Sequence, residues 1–527
     1  MGIPSYFSYI VKNHRNIIKK INKLYKNIDN LYLDSNSIIY DCLRDVQDKY
    51  NDDDDTFESI LMESVCIKID SYINKIDPKR KVIIAFDGVA PIAKLEQQRS
   101  RRFKSMFESE INKKCGITNS SLKWNKTAIT PGTKFMTNLN LYVNQWYLNK
   151  SNDTLDIIIS GSNKEGEGEH KLFQYIRDNM DAHSSETTMI YGLDADLIML
   201  CLNHLHVSKN IYLYRETPEF IKYIDSSLDP NKDYFLDIPL LSQFIIKEMN
   251  NNRNVNNTYC MYDYIFLCFF LGNDFLPHFP ALNIRTNGIK YILNAYLNTV
   301  GKTNQNITNG KKIHWGILKK MISYLSDKEE CYLKDEYKIR KKMEKRDFKS
   351  TTPLEKQQRY LNIPIKNREI EYLIDPDSYD WQNRYYKYLF KMDITNDLKK
   401  EICVNYMEGL EWTLKYYSSG CIDWRWMYNY NYPPLLEDLI RFMPSWDTVM
   451  VEPKDPNPIC SNVQLAYVLP VEYHSLINKR FVEKIKSMDC FNNLHYDFQW
   501  SFCKYFWESH VNLPEIDIEK LVEKSNN

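Results

Sequence analysis

The sequence predicts an α/β protein: a doubly wound, mostly parallel sheet followed by an additional, mainly helical second region. Two observations carry that expectation. Short β-rich runs alternate with helical patterns through the first 290 residues, and those runs are continuously apolar, as in strands covered on both faces. From about Pro376 the pattern turns helical and aromatic.

Taken in order, "LYLD" (31–34), "KVIIAFDG" (81–88), "LDIIISG" (155–161), "TMIYGLD" (188–194) and "IYLYRE" (211–216) read as strands. Between them, "FESILMESVCIKIDSYINKI" and "GEHKLFQYIRDNM" read as helices. "ITPGTKF" places Pro131 and Gly132 at a turn before a helix, as structural support. The Asn-rich run at 250–257 reads as a surface loop, and "FLCFFLGNDFLPHFP" as a helix-like run that delivers Asp274. "GKTNQNITNGKK" reads as a loop or linker, and "KIRKKMEKRDFK" as a basic, exposed helix. "WQNRYYKYLF", "VNYMEGLEWTLKYYSSG" and "WRWMYNYNYPP" carry the helical and aromatic pattern. The expected division is an α/β core over 1–300, a linker with a basic helix over 301–375, and a second region over 376–527 packing on the core.

Bulk composition narrows the class. A chain of 527 residues is too long for one core. Its 43% hydrophobic and 26% charged residues are the balance of a soluble globular protein. Abundant Tyr, Asn, Ile and Lys with few Gly suggest an AT-rich genome, such as that of a virus or protist. Lys and Arg balance Asp and Glu at 69 each, which excludes a protein-wide basic field but not local basic stripes. The twelve cysteines form no C-x-x-C pair, and no secretory leader precedes them. A reducing intracellular compartment is expected, cytoplasmic or nuclear, or the virion or infected-cell cytoplasm if the source is viral. "MGIPSY" misses a myristoylation site at Tyr6, and "YIFLCFFLG" is too short to span a bilayer, so no membrane association is expected.

The strand-like runs end in acid or lead into it. Asp34 and Asp87 close two of them, Glu167 and Glu169 follow a third, Asp194 and Asp196 follow a fourth, and Asp274 comes after the helix-like run. In an open α/β sheet, ligands gather beyond the carboxyl ends of parallel strands, so these acids should converge in one crevice. Carboxylates crowded together repel and raise each other's pKa unless a cation joins them. Oxygen ligands with no competing His/Cys set favour Mg²⁺ or Mn²⁺. Two such ions about 4 Å apart form the clamp used in phosphodiester hydrolysis. Singly, each acid has a bland explanation as a helix cap or a turn residue. Their joint appearance at successive strand ends points to a metal site.

A basic helix follows Asp87. Lys94, Gln98, Arg101 and Arg102 sit at i, i+4, i+7 and i+8, which puts them on one helical face. Beside an acidic metal site, such a face makes a phosphate socket. Charge runs in general are more often solvated faces.

At these residues the sequence resembles, in order and spacing, the XRN family of eukaryotic 5′→3′ exoribonucleases. The resemblance is carried by "MGIPSYFSYI", "LYLDSNSIIYDC", "IIAFDGVAPIAKLEQQRSRRF", "ITPGTKFM", "GEGEHK", "YGLDADLIML" and "FLGNDFLPHFPAL". It extends through "YYKYLF…YMEGLEWTLKYYSSGCIDWRWMYNYNYPP", "QLAYVLPVEYH" and "LPEIDIEKL". It implies a PIN/flap-nuclease-like core and processive, metal-dependent removal of nucleoside 5′-monophosphates from single-stranded RNA with a 5′-monophosphate. By family position Asp34, Asp87, Glu169, Asp194, Asp196 and Asp274 match the ligands of two Mg²⁺, with Glu167 in the outer shell. Lys94, Gln98, Arg101 and Arg102 match the 5′-phosphate pocket. Tyr40 stands where the family stacks a histidine on the first base, and a Tyr ring can also stack. Trp424 or Trp426 would complete the sandwich. Gly2 to Lys20 would sit beside the entrance and help exclude duplexes. "YNYNYPP" departs from the family's usual "YPYHYAP", and neither a zinc knuckle nor a large C-terminal extension is seen, as in a minimal member. Single-stranded RNA is the expected partner, the chain a monomer without a dinucleotide cofactor. The rivals are a flap-type structure-specific DNA nuclease, an inactive RNA-binding scaffold and a generic metal phosphatase.

Overall fold

A computed structural model describes residues 2–21, 27–117, 124–151, 155–215, 228–229, 232–250, 253–492 and 496–526. Its centre is a seven-stranded sheet. The strands are β1 (Ile18–Lys20), β2 (Asn30–Asp34), β3 (Lys81–Ala85), β4 (Asp156–Ser160), β5 (Thr187–Tyr191), β6 (Asn210–Arg215) and β7 (Tyr234–Asp237), in the order β1-β7-β6-β5-β2-β3-β4. β4, β3, β2, β5 and β6 run parallel, and these are the five strands read from the sequence. β7 and β1 add an antiparallel edge. Glu216, at the end of the fifth predicted run, and residues 251–252 of the Asn-rich run lie outside the described residues.

The apolar runs are continuous because helices cover both faces. Side chains alternate across a strand. Leu31 and Leu33 of β2 therefore enter one core with α2 (Asn36–Val46), α3 (Asp54–Ile76) and α5 (Lys134–Tyr147). Tyr32 enters the other, with α6 (Gly168–Asp178) and the helix Asp196–Asn203. β4 departs from the expectation of strands buried on both faces. It is the sheet's edge, and Ile157 to Ser160 are only half-buried.

The second core does not stop at residue 300. Ile307, Ile313, Trp315 and Leu318 belong to it, as do Trp381, Trp412 and Trp426. The stretch read as linker is thus packed against the sheet's own helices. The expected basic, exposed helix over 338–349 is helical only to Glu344, where the helix Glu329–Glu344 ends, and one of its cations is buried: Arg340 forks onto Glu371 at 2.9 and 2.6 Å. That carboxylate also accepts from the Phe502 amide at 3.0 Å. The aromatic run 424–434 is irregular where a helical pattern was expected. Its buried Trp426, Tyr428 and Tyr432 are anchored by tertiary contacts, and Pro433 and Pro434 have no amide hydrogen to give a helix.

The helix α4 (Ile92–Lys114) is gripped by the second region. Ile92 and Leu95 pack with Val463, Leu465 and Ala466. The Tyr467 hydroxyl donates to Glu96, and Arg99 donates to the Pro514 carbonyl at 2.6 Å. All twelve cysteines are free thiols. Among the described residues no helix is long and apolar enough to cross a membrane.

Candidate metal centre

The chain builds β2, β3 and β4 outward in one direction, then returns to place β5 on the other side of β2. That reversal opens a crevice beyond the carboxyl ends of β2 and β5. Asp34 ends β2, Asp87 follows β3 by two residues, and Asp194 and Asp196 follow β5. Glu167 immediately precedes α6 and Glu169 lies in its first turn. Asp274 arrives on the loop after the turn Phe269–Leu271. The residues at the N-cap positions of α2, α6 and the helix Asp196–Asn203 make no side-chain cap, Glu167 among them.

The acids are close enough to govern one another. Burial, then Asp87, Asp194 and Glu167, raise Asp34 well above the usual carboxylate range. Burial, then Asp196 and Glu167, do the same to Glu169. Burial and Asp274 push Asp196 up to about 7. Gly168 marks how tightly the backbone closes on them. Its amide donates to Asp87 Oδ1 at 2.7 Å, and a Cβ there would lie 2.6 Å from Asp34 Oδ1. Gly2, at a φ of +50°, lies against Asp196 with no room for a side chain.

Two oxygens in this group, Glu169 Oε2 and Asp196 Oδ1, are buried with no hydrogen-bond partner among the described residues. Buried anionic oxygens without donors are costly, and hard cations are the ligands that satisfy them. The acids therefore fit divalent metal. Glu167, Glu169 and His170 also bring ligand atoms within 4.8 Å of one another. His170 lies within "GEGEHK", where no role was expected of it, and burial keeps its imidazole neutral by lowering its pKa well below the usual value.

A cation of α4 enters the acid group. Lys94 Nζ lies 2.6 Å from Glu167 Oε2 and 2.7 Å from Asp274 Oδ2. Burial opposes its charge, but Asp274 and Glu167 outweigh burial and raise its pKa well above 10.5. Asp274 is held low in turn, burial notwithstanding, chiefly by Lys94.

The predicted helical face is real, but its members do different things. Lys94 turns into the acids. Gln98 is half-buried and Arg101 exposed. Arg102 donates to Thr130 Oγ1 at 2.6 Å, while its Nε is buried without a partner among the described residues. The Tyr40 ring, 42% exposed, stands within electrostatic reach of both guanidinium groups. Thr130 belongs to the "ITPG" turn, which thus braces the cationic helix. The two tryptophans separate cleanly. Trp426 is 8% exposed and stacks on Trp412 at 5.1 Å, a core position. Trp424 is half-buried, and its carbonyl accepts the Ile92 amide at 3.0 Å where α4 begins.

Supports to which the sequence assigned no role surround the acids. Asn36 donates to Asp87 Oδ2 and accepts the Asp87 amide at 3.1 Å. Lys171 Nζ ties the Phe86 and Gly161 carbonyls together at 2.7 and 2.9 Å. Tyr416, from the second region, donates to Glu167 Oε1 at 2.8 Å.

Comparison with known proteins agrees with this arrangement. Residues 1–217 match a family model described as the XRN 5′-3′ exonuclease N-terminus, and residues 254–371 and 377–527 match the Xrn1 helical domain. The chain is 27% identical over 544 residues to a human 5′-3′ exoribonuclease 1, covering 90% of this chain and 31% of that protein. It is 27% identical over 675 residues to the Saccharomyces cerevisiae 5′-3′ exoribonuclease 1, with 99% and 43% covered. It is 26% identical over 597 residues to the Gallus gallus 5′-3′ exoribonuclease 2, with 88% and 62% covered. The chain thus spans less than two thirds of the length of these relatives.

Proposed function

This chain belongs to the XRN 5′-3′ exonuclease family, and from that premise we propose that it is a metal-dependent 5′→3′ exoribonuclease acting on single-stranded RNA with a 5′-monophosphate. The observation that carries the reading is the buried acid group, two of whose oxygens have no partner among the described residues, joined through Lys94 to a cationic helix where the same holds for one guanidinium nitrogen.

Asp34, Asp87, Glu169, Asp194, Asp196 and Asp274 would hold two Mg²⁺, or Mn²⁺, with Glu167 set behind them. When bound, the ions supply the Lewis acidity and the lowered water pKa that phosphodiester hydrolysis requires. The protein's own part is positioning. Gln98, Arg101 and Arg102 bind the 5′-phosphate, with Lys94 linking that pocket to the acids. Tyr40 and Trp424 stack on the first base. Water oxygen adds to the scissile phosphorus, and the bond to the 3′-oxygen of the first nucleotide breaks. That oxygen leaves as a hydroxyl after taking a proton. The shortened strand keeps a 5′-phosphate and re-engages the same pocket. Gly2, which packs against Asp196, and the following helix α1 (Tyr6–Asn13) would help exclude duplexes. The free thiols fit a reducing, intracellular setting.

Digestion of end-labelled RNA bearing 5′-monophosphate, triphosphate, cap or hydroxyl, with and without EDTA, tests the proposal. Rapid release of nucleoside 5′-monophosphates from the monophosphorylated RNA alone, abolished by EDTA, is expected. Equal rates on all four ends, or survival of activity in EDTA, would overturn it. A DNA flap run in parallel separates the flap-nuclease alternative.

A further inference from the structure

We propose that Tyr416 is a positioning residue through which the second region sets the acid group; the inference rests on the metal-dependent reading above. Tyr416 lies in the last turn of the helix Asn396–Ser418 and is 2% exposed. Its hydroxyl donates to Glu167 Oε1 at 2.8 Å. The other oxygen of that carboxylate meets Lys94 Nζ at 2.6 Å, and Lys94 Nζ meets Asp274 Oδ2 at 2.7 Å. One phenol therefore fixes the first link of a chain that runs Tyr416, Glu167, Lys94, Asp274.

The ring fixes more. It stacks on His170, the neighbour of Glu169, with centroids 3.7 Å apart and planes at 28°. It meets Phe275, the neighbour of Asp274, edge-on at 5.5 Å. Trp412 backs it at 4.8 Å and 25°. Tyr296 and Tyr386 also donate to buried carboxylates, Asp263 and Asp438, but neither carboxylate belongs to the acid group. Tyr416 donates to a carboxylate already shared with a lysine, while its ring presses on residues adjacent to two further acids. Without the hydroxyl, Glu167 is free to rotate off Lys94, and Lys94 then no longer holds Asp274 in place.

Tyr416→Phe keeps the ring, the stack and the volume, and removes only the hydroxyl. Mn²⁺ binding followed by electron paramagnetic resonance without RNA should weaken about tenfold, the low end for outer partners of metal ligands. The kcat on 5′-monophosphorylated RNA should fall by about the same factor with KM for RNA unchanged. Trp412→Phe trims the far side of the same stack and spares the hydroxyl. It should lower the melting temperature in EDTA and leave the Mn²⁺ constant within about twofold of wild type. Wild-type Mn²⁺ binding and kcat in Tyr416→Phe would overturn the inference. So would an equal loss of Mn²⁺ affinity in Trp412→Phe, since packing alone would then explain both. A wild-type protein that binds no Mn²⁺ and releases no nucleotide defeats the functional reading itself, a result distinct from either.

Discussion

Gly168 opens α6 with its backbone pressed against two carboxylates, and one added methyl group there probes the geometry of the acid group. In Gly168→Ala the new Cβ would lie 2.6 Å from Asp34 Oδ1 and 3.5 Å from Asp87 Oδ1, where ordinary contact begins near 3.4 Å. Asp34 ends a central strand paired on both sides, so its backbone cannot yield cheaply. Its carboxylate must retreat by about 0.8 Å, and misplacement on the order of 1 Å at a reacting centre costs about a hundredfold in rate. Stability should move the other way. Alanine suits a helix better than glycine by up to about 1 kcal/mol, and the alanine amide still donates to Asp87. The assay is single-turnover cleavage of 5′-monophosphorylated RNA at saturating Mg²⁺, paired with a thermal melt in EDTA. A rate loss near a hundredfold with an unchanged or higher melting temperature is expected. A variant that cleaves at the wild-type rate would refute the claim that Asp34 must sit where Gly168 leaves it.

Three further outcomes are expected. Arg101→Ala should reduce the preference for 5′-monophosphate over 5′-hydroxyl RNA about tenfold, as for a lost charge-assisted contact; an unchanged ratio would remove Arg101 from the pocket. Trp426→Ala should cost about 3 kcal/mol or more in urea denaturation, whereas Trp424→Ala should leave stability nearly intact and raise KM for RNA; the reverse pattern would exchange their roles. Glu329, pushed up to about 8 by burial from an ordinary 4.5, accepts the Leu436 amide at 2.9 Å. Because its folded pKa is the higher one, the folded state binds the extra proton, so the stability it contributes is full below 4.5 and is lost as pH rises through 8. Glu329→Gln should flatten that decline in urea melts at pH 5, 6.5 and 8, and parallel slopes for the two proteins would contradict the assignment.

What could be read from the sequence follows from which signals are local. The parallel strands announced themselves because helices on both faces demand unbroken apolar runs. β1 and β7, three and four residues long, carry no such length of pattern. The seven acids stood out because a carboxylate beside an apolar strand end needs a reason. The helical face of Lys94, Gln98, Arg101 and Arg102 was legible as spacing, but spacing does not say what faces it, and the inward turn of Lys94 depends on Glu167 and Asp274, both distant in sequence. Arg340 looked like one cation in a basic run, because its partner Glu371 is supplied by a later helix. Tyr416 and Asn36 fall inside segments that carry the family resemblance, but neither residue type nor spacing singled them out: one is a tyrosine among 39, and the other follows Asp34 as an unremarkable amide.

The span from Asp34 to Tyr416 has a bearing on biogenesis. Strands β2 and β3 emerge early from the ribosome, yet Asp274 and the phenol that steadies Glu167 arrive only much later in translation. A nascent chain therefore carries scattered, solvated acids rather than a working centre. Contacts so remote along the chain are also slow to form, so competence should appear late and in one cooperative step.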